Sequence, residues 1–166
     1  MLSTGMQDAI NNQIAREFYA SHLYLSMRVY FEAGDYGGFA QWMKMQAEEE
    51  RTHALKLLDY LLSRNGRPKI GAVAAPPHAF ASVLDAFEQA LAHEQHVSKD
   101  FDTLYELARA EKDFATQVML QWFITEQVEE VGTASRIVGR LAKVVDNTAG
   151  ILLLDGELGR RSTMDA

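Results

Sequence analysis

The sequence predicts an all-α fold: a four-helix bundle with one long crossover between its second and third helices and a short fifth helix. Three observations predict it. All three prolines, Pro68, Pro76 and Pro77, fall between residues 66 and 79, which leaves long proline-free stretches with helical periodicity on either side. Each of those stretches is divided by a short turn, one at Gly34-Asp35-Tyr36-Gly37-Gly38 and one just before Asp113. The 166 residues, 48% of them hydrophobic, suffice for a single domain with a substantial core.

The first helix is expected over residues 4–33, closed by the glycine-rich turn. The second runs over 39–64 and stops at Asn65-Gly66, a pair suited to a helix C-terminus. The third spans 80–110. The fourth spans 113–145, with Asp113 as its N-cap. The fifth covers 148–158. Each long helix is roughly 40–50 Å at 1.5 Å per residue. Two short turns around one long connection differ from simple up-down-up-down topology.

A bundle helix buries a stripe that alternates steps of three and four residues. In the third helix it reads Phe80, Val83, Phe87, Ala90, Glu94, Val97, Phe101, Leu104, and Glu94 is its one charged member. The fourth gives Leu120, Phe123, Gln127, Glu130, Ala134, Ile137, Leu141, Val144. The second gives Phe39, Met43, Gln46, Glu50, His53, Leu57, Tyr60. The first is less regular: Ile10, Ile14, Glu17, Ser21, Tyr24, Arg28, Phe31, with further apolar residues on other sides. Glu17, Glu50, Glu94 and the Gln127–Glu130 pair all lie within about two residues, or roughly 3 Å, of their helix midpoints. Four helices of similar length bring them to one level of the core.

Carboxylates gathered there repel one another and rise in pKa unless cations neutralise them. Two divalent metals would do so. Each piece alone has a plainer reading. Glu50-x-x-His53 arises by chance on exposed helices, Glu48-Glu49-Glu50 and Glu129-Glu130 look like solvated charge runs, and Tyr24 fits a core tyrosine. The coincidence of phase and height in four helices is what those readings leave unexplained. His22, His93 and His96 lie outside the stripes and read as surface or packing residues. Gly132 and Gly139, one heptad apart on the fourth helix, would allow a close helix approach or are merely tolerated there.

Composition narrows the chemistry. With no cysteine, disulfides, thiolate zinc and cysteine-held iron–sulfur clusters are excluded. Oxygen and imidazole ligands suit iron, manganese or magnesium. A net charge of −7 argues against a nucleic-acid partner. The longest aliphatic run, Ile151-Leu152-Leu153-Leu154, is too short to cross a membrane. Met1-Leu2-Ser3-Thr4-Gly5 lacks the pattern of a secretory signal, so a cytoplasmic location is expected.

Glu17 with Tyr24 seven residues on, Glu50-x-x-His53, Glu94 and the run Glu126-Gln127-Val128-Glu129-Glu130 together resemble the bacterial non-haem ferritins. Tyr105-Glu106-Leu107-Ala108 and residues 111–116 match that family too, and the likeness covers nearly the whole chain as a single ferritin-like domain. The resemblance implies iron storage with ferroxidase activity, in which Fe(II) is oxidised by O2 or H2O2 at a di-iron centre. It implies a first site from Glu17, Glu50 and His53, and a second from Glu50 as bridge, Glu94 and Glu130. It places Gln127 beside the pair, makes Tyr24 an orienting or electron-supplying neighbour, and assigns Glu49, Glu126 and Glu129 to a third iron site. It also implies a homo-oligomeric cage of 24 subunits.

Three alternatives and one departure stay open on sequence alone. Bacterioferritins carry a second Glu-x-x-His in the fourth helix and a haem-ligating methionine after the second-helix glutamate. Here those places hold Gln127-x-x-Glu130 and Arg51, so no haem is expected. Rubrerythrin-type oxidases need cysteine-bound electron-transfer domains. A metal-free interaction bundle with a buried ionic cluster is the third. The acidic positions that line the threefold channel of animal ferritins correspond to Gln117 and Leu120, which puts that entry route in question.

Overall fold

The computed structural model describes residues 2–160. Five helices follow in order: α1 (Thr4–Ala33), α2 (Gly37–Ser63), α3 (Val83–Ala110), α4 (Phe114–Ala142) and α5 (Thr148–Leu158), with no strand among the described residues. α1 packs along α2 and α3 along α4, and the two hairpins meet chiefly through α1 and α3. α5 lies against α2. No helix among the described residues is long and apolar enough to cross a membrane.

Local chemistry sets the helix ends. Ser3, Ser82, Asp113 and Asn147 cap α1, α3, α4 and α5, each accepting a backbone N–H three residues on. The expected N-cap role of Asp113 is met, and the same carboxylate takes two hydrogen bonds from Arg64, both at 3.1 Å. The third helix begins at Val83 rather than at residue 80. Ser82 caps it, and Asp85 reaches back to accept the Ala81 N–H at 2.9 Å, which ends the helical run before Phe80. Phe80 instead meets Tyr30 of α1 edge-on, with ring centroids 5.1 Å apart. α2 starts two residues earlier than expected, and α4 stops at Ala142, three residues early.

α1, α2 and α3 end in the same way, with the chain turning through left-handed residues at Asp35 (φ 61°), Asn65 (φ 56°) and Lys112 (φ 55°). The following amides bond back to Phe31, Leu61 and Ala108, closing the carbonyls of each last turn. Asp and Asn tolerate this conformation. At 65–66 it is therefore Asn65, and not Gly66, that makes the turn.

The start of α2 has no side-chain cap of its own. Asp155 of α5 supplies one, accepting the Phe39 N–H at 2.7 Å. Gly38 makes this possible, because a Cβ there would stand 1.7 Å from the Asp155 carbonyl oxygen. Ile151 and Leu154 face the bundle, whereas Leu152 and Leu153 point outward. The crossover, residues 64–82, is tied along α1. Asn11 bonds to Arg67 and Lys69, Gln7 accepts the Arg67 N–H, and Ser26 donates to the Pro77 carbonyl.

Two apolar clusters fill the bundle. One holds Tyr24, Phe31, Phe39, Trp42 and Phe87; the other holds Ile10, Ile14, Leu57, Phe101 and Phe123. Every stripe residue expected in α3 is buried. In α1 the stripe is corrected at one place: Met27 is buried, and Arg28 stays partly exposed beside Glu32. Apolar residues on several sides of α1 made the two phases indistinguishable. Between the two clusters the core turns polar.

Candidate metal centre

Charged side chains are almost never fully buried without a partner or a metal. Glu17, Glu50 and Glu94 are nonetheless each 0% exposed, and His53 4%. They enter the core because they occupy stripe positions. On α2, Glu50 and His53 are one step of three apart, on the face that carries Met43, Gln46 and Leu57. Glu17, in α1, comes between Ile14 and Ser21 on its buried face. The first hairpin thus supplies one half of the polar layer by itself.

A ligand atom from each of Glu17, Glu50 and His53 lies within 4.8 Å of the others. His53 Nδ1 stands 3.3 Å from Glu50 Oε2 and 3.8 Å from Glu17 Oε2. Both Glu50 oxygens, Glu17 Oε2 and His53 Nδ1 are buried without a hydrogen bond. Leaving such atoms unpaired is costly in a low-dielectric interior. Two hard oxygens and an imidazole facing one point form a donor set for a divalent transition metal.

The second hairpin supplies the other half. Tyr24 donates its O–H to Glu94 Oε1, and Gln127 Nε2 donates to Glu94 Oε2 at 3.4 Å. Glu130, half-buried on α4, accepts from Gln46 Nε2 at 2.8 Å. Gln13 Nε2 donates to Glu17 Oε1 at 2.6 Å. Gln127 Oε1 is buried with no hydrogen bond.

The electrostatics join the two halves. Burial pushes the Glu50 carboxyl well above its usual range, and the Glu94 charge pushes it further, with His53 opposing. Burial and then the Glu130 charge raise Glu94 to about 8, against the hydrogen bonds from Tyr24 and Gln127. Burial alone would lower His53, but Glu17 and Glu50 overcome it and raise the imidazole to about 11. The Tyr24 phenol is raised by burial and then by Glu94, Glu50 and Glu130. Tyr24, Glu50 and Glu94 each feel a carboxylate of the opposite hairpin, which couples the two halves of the layer.

Not all the expected residues join it. Glu49 and Glu126 line a surface cavity of about 350 Å³ with Met45, Glu48, Thr52, Trp122 and His53, which connects them to one edge of the centre. Glu129 is exposed and outside that lining. His22 and His96 are exposed, as expected of surface residues. His93 packs beside Tyr19, ring centroids 5.9 Å apart.

A protein-family description of the ferritin-like domain matches residues 7–144. The chain belongs to the ferritin family. Bacterial non-heme ferritin of Bacteroides fragilis is 45% identical over 161 residues, covering 97% of this chain and 100% of the relative. That of Staphylococcus aureus is 38% identical over 162 residues, with 98% of each covered. Among solved structures, the open pore ferritin of Archaeoglobus fulgidus superposes with a TM-score of 0.97 at 43% identity, covering 98% of this chain and 100% of that one. A closed form of that ferritin, engineered by site-directed mutagenesis, gives a TM-score of 0.96 at 44% identity over 98% and 99% of the two chains.

In this ferritin the sequence reasoning missed four residues at the site. Gln46 was visible as a polar stripe member one step before Glu50. Gln13 stands one turn before Glu17, a spacing that allowed the bond. Trp122 meets the His53 ring edge-on at 5.4 Å, and Lys56 Nζ stands 3.1 Å from the Trp122 ring centroid. Those two lie beyond the stripes and carried no spacing signal. Neither position set against the animal-ferritin channel offers a carboxylate: Leu120 is core, and Gln117 donates to the Ala108 carbonyl at 3.3 Å.

Proposed function

We propose that this ferritin subunit oxidises Fe(II) to Fe(III) at a paired iron site and passes the product to a ferric store inside a homo-oligomeric cage. The observation that carries the reading is the convergence of Glu17, Glu50 and His53 with unpartnered buried oxygens and nitrogen. The first iron takes Glu17, Glu50 and His53. The second takes Glu50 as bridge, Glu94 and Glu130. Glu50 suits the bridging role because neither of its oxygens makes a hydrogen bond, so one is free for each metal.

Gln127 and Tyr24 hold the Glu94 carboxylate in place by donating to its two oxygens. Gln13 does the same for Glu17, and Gln46 for Glu130. Such outer hydrogen bonds fix the orientation of metal-binding carboxylates. Hard oxygen ligands favour Fe(III) over Fe(II) and so assist the oxidation by O2 or H2O2. The second site has no histidine, which makes its iron the more exchangeable of the two. Glu49 and Glu126, with Glu129 nearby, offer a third site on the way out. A cage of 24 subunits in the cytoplasm, free of haem, completes the reading. Exposed Val29, Ile70, Phe114, Val118 and Leu153 support the association, since apolar surface of that kind marks partner contacts.

The test is aerobic addition of Fe(II) to metal-free protein, followed optically and by particle size. Rapid oxidation with iron kept in a large soluble particle is the expected result, and His53→Ala should slow the rapid phase without disturbing assembly. Oxidation no faster than in protein-free buffer, or iron that precipitates, would refute the reading.

A further inference from the structure

The chain has two tryptophans, Trp42 and Trp122, and each touches a different part of the metal centre. Trp42 is 2% exposed and meets Tyr24 edge-on, ring centroids 6.2 Å apart. Tyr24 donates its phenolic hydrogen to Glu94. Beyond Tyr24, the Trp42 indole packs on Phe87 at 5.5 Å, within the cluster that holds Phe31 and Phe39. A continuous aromatic contact therefore runs from Tyr24, bonded to a carboxylate of the centre, to a buried indole packed on Phe87.

Trp122 has a different setting. It touches His53, but it is 37% exposed and carries the Lys56 ammonium over its face. An ammonium so placed is attracted by the ring's electron density. The same positive charge opposes removal of an electron from that ring, because the oxidised indole would itself be positive. Electron transfer falls steeply with distance, and both indoles are near enough to compete. The cation decides between them.

We propose that Trp42 is an electron donor to the iron reaction, acting through Tyr24, and that Lys56 keeps Trp122 from the same role. The inference rests on the ferroxidase reading above, and the two can fail separately. Reduction of one hydrogen peroxide to two waters takes two electrons and two protons. Two bound Fe(II) ions supply both electrons. When only the histidine-bearing site is filled, its Fe(II) supplies one electron and becomes Fe(III), and Tyr24 supplies the other.

The positive charge of the iron bound beside it favours the ionised form of Glu94, and as that electron leaves, the Tyr24 hydroxyl proton crosses its hydrogen bond to this carboxylate. Trp42 then gives an electron to the tyrosyl radical, which takes the proton back from Glu94. The two protons that complete the waters come from solvent. The net change is one Fe(II) and one indole, each oxidised by one electron. The oxidising equivalent so leaves the carboxylate ligands and rests on a buried indole away from water.

The experiment uses the full-length assembled protein, loaded without oxygen at less than one Fe(II) per subunit, mixed with hydrogen peroxide and frozen for electron paramagnetic resonance. A tryptophan radical is expected, identified by narrowing of its spectrum when the chain carries indole-deuterated tryptophan. Trp42→Phe should remove that signal and leave a tyrosyl signal in its place. Trp122→Phe should leave the tryptophan signal as in the parent. Lys56→Met should add a second tryptophan component, which Trp122→Phe in the same chain removes. The labelled parent protein shows whether a tryptophan radical forms even if Trp42→Phe assembles poorly. Iron oxidation without any tryptophan radical would overturn the proposal, and so would a tryptophan radical that survives Trp42→Phe unchanged. Failure of the protein to oxidise iron at all would refute the ferroxidase reading instead.

Discussion

Glu94→Gln removes one ionisable group from the buried layer while keeping its size and its acceptor for the Tyr24 hydroxyl. In the metal-free protein this exchange is expected to stabilise. Glu94 is fully buried, and its carboxyl rises from 4.5 to about 8 on folding. At pH 7 the unfolded chain holds this group ionised and the folded chain holds it protonated. The folded state therefore binds the extra proton, and its stability falls as pH rises from 4.5 toward 8. Over the pH interval from 4.5 to 7, at 1.36 kcal/mol per unit, the cost reaches about 3 kcal/mol.

Gln escapes that cost. Metal-free Glu94→Gln should melt about 6–12 °C above the parent at pH 7, since each kcal/mol moves the midpoint of a domain this size by a few degrees. At pH 5 the advantage should shrink to under about 1 kcal/mol, because only half a unit then separates the pH from the unfolded carboxyl's own pKa. Calorimetry of chelator-treated protein at both pH values, at one protein concentration, measures this. With Co(II) added, the order should reverse, because only the parent offers an anionic ligand at position 94. A variant that melts below the parent at pH 7, or a gain that does not diminish by pH 5, would show that the buried carboxyl is not penalised as argued.

Other expectations follow from the same structure. Gly38→Ala should dislodge α5, since the new Cβ would meet the Asp155 carbonyl oxygen at 1.7 Å; faster proteolysis between residues 143 and 160 is the readout, and unchanged resistance would contradict it. Metal binding at pH 7 should release protons, because His53 at about 11 and Glu94 at about 8 are protonated in the metal-free protein and must lose the proton to serve as ligands. Calorimetric titration of Co(II) in two buffers of different ionisation enthalpy measures that release, and identical heats would argue against it. Asp113→Ala should cost about 1–3 kcal/mol, seen in thermal unfolding, through loss of the α4 cap and of the partner for Arg64.

Much of the polar layer was legible in the sequence because α3 and α4 have regular stripes, in which Glu94 and Gln127 stand out against apolar neighbours. Glu50 and His53 were legible for the same reason. The stripe of α1 misplaced Arg28, since that helix carries apolar residues on several faces and periodicity alone cannot choose among them. Helix starts were displaced where side chains outside the stripes intervene. The reach of Asp85 back to Ala81 is local and could have been read, whereas the capping of α2 by Asp155 required the fold. Within the subunit no helix approaches Gly132 or Gly139 closely: the nearest atom to a Cβ at Gly132 would be Arg136 Nη1 at 3.9 Å, and none lies within 4 Å at Gly139.

The division of the polar layer between the two hairpins has a consequence for how the molecule is made. Glu17, Glu50 and His53 arrive together once α1 has paired with α2. Glu94, Gln127 and Glu130 arrive with α3 and α4. Neither hairpin alone assembles the full set of like charges. Docking of one hairpin on the other is therefore the folding step that first sets Glu50 against Glu94, and the step a divalent cation most favours. On the proposed ligand set, iron would tie two half-proteins together as well as being their cargo. Refolding of the metal-free chain should slow as pH rises from 5 to 8, and a trace of divalent metal should restore its speed.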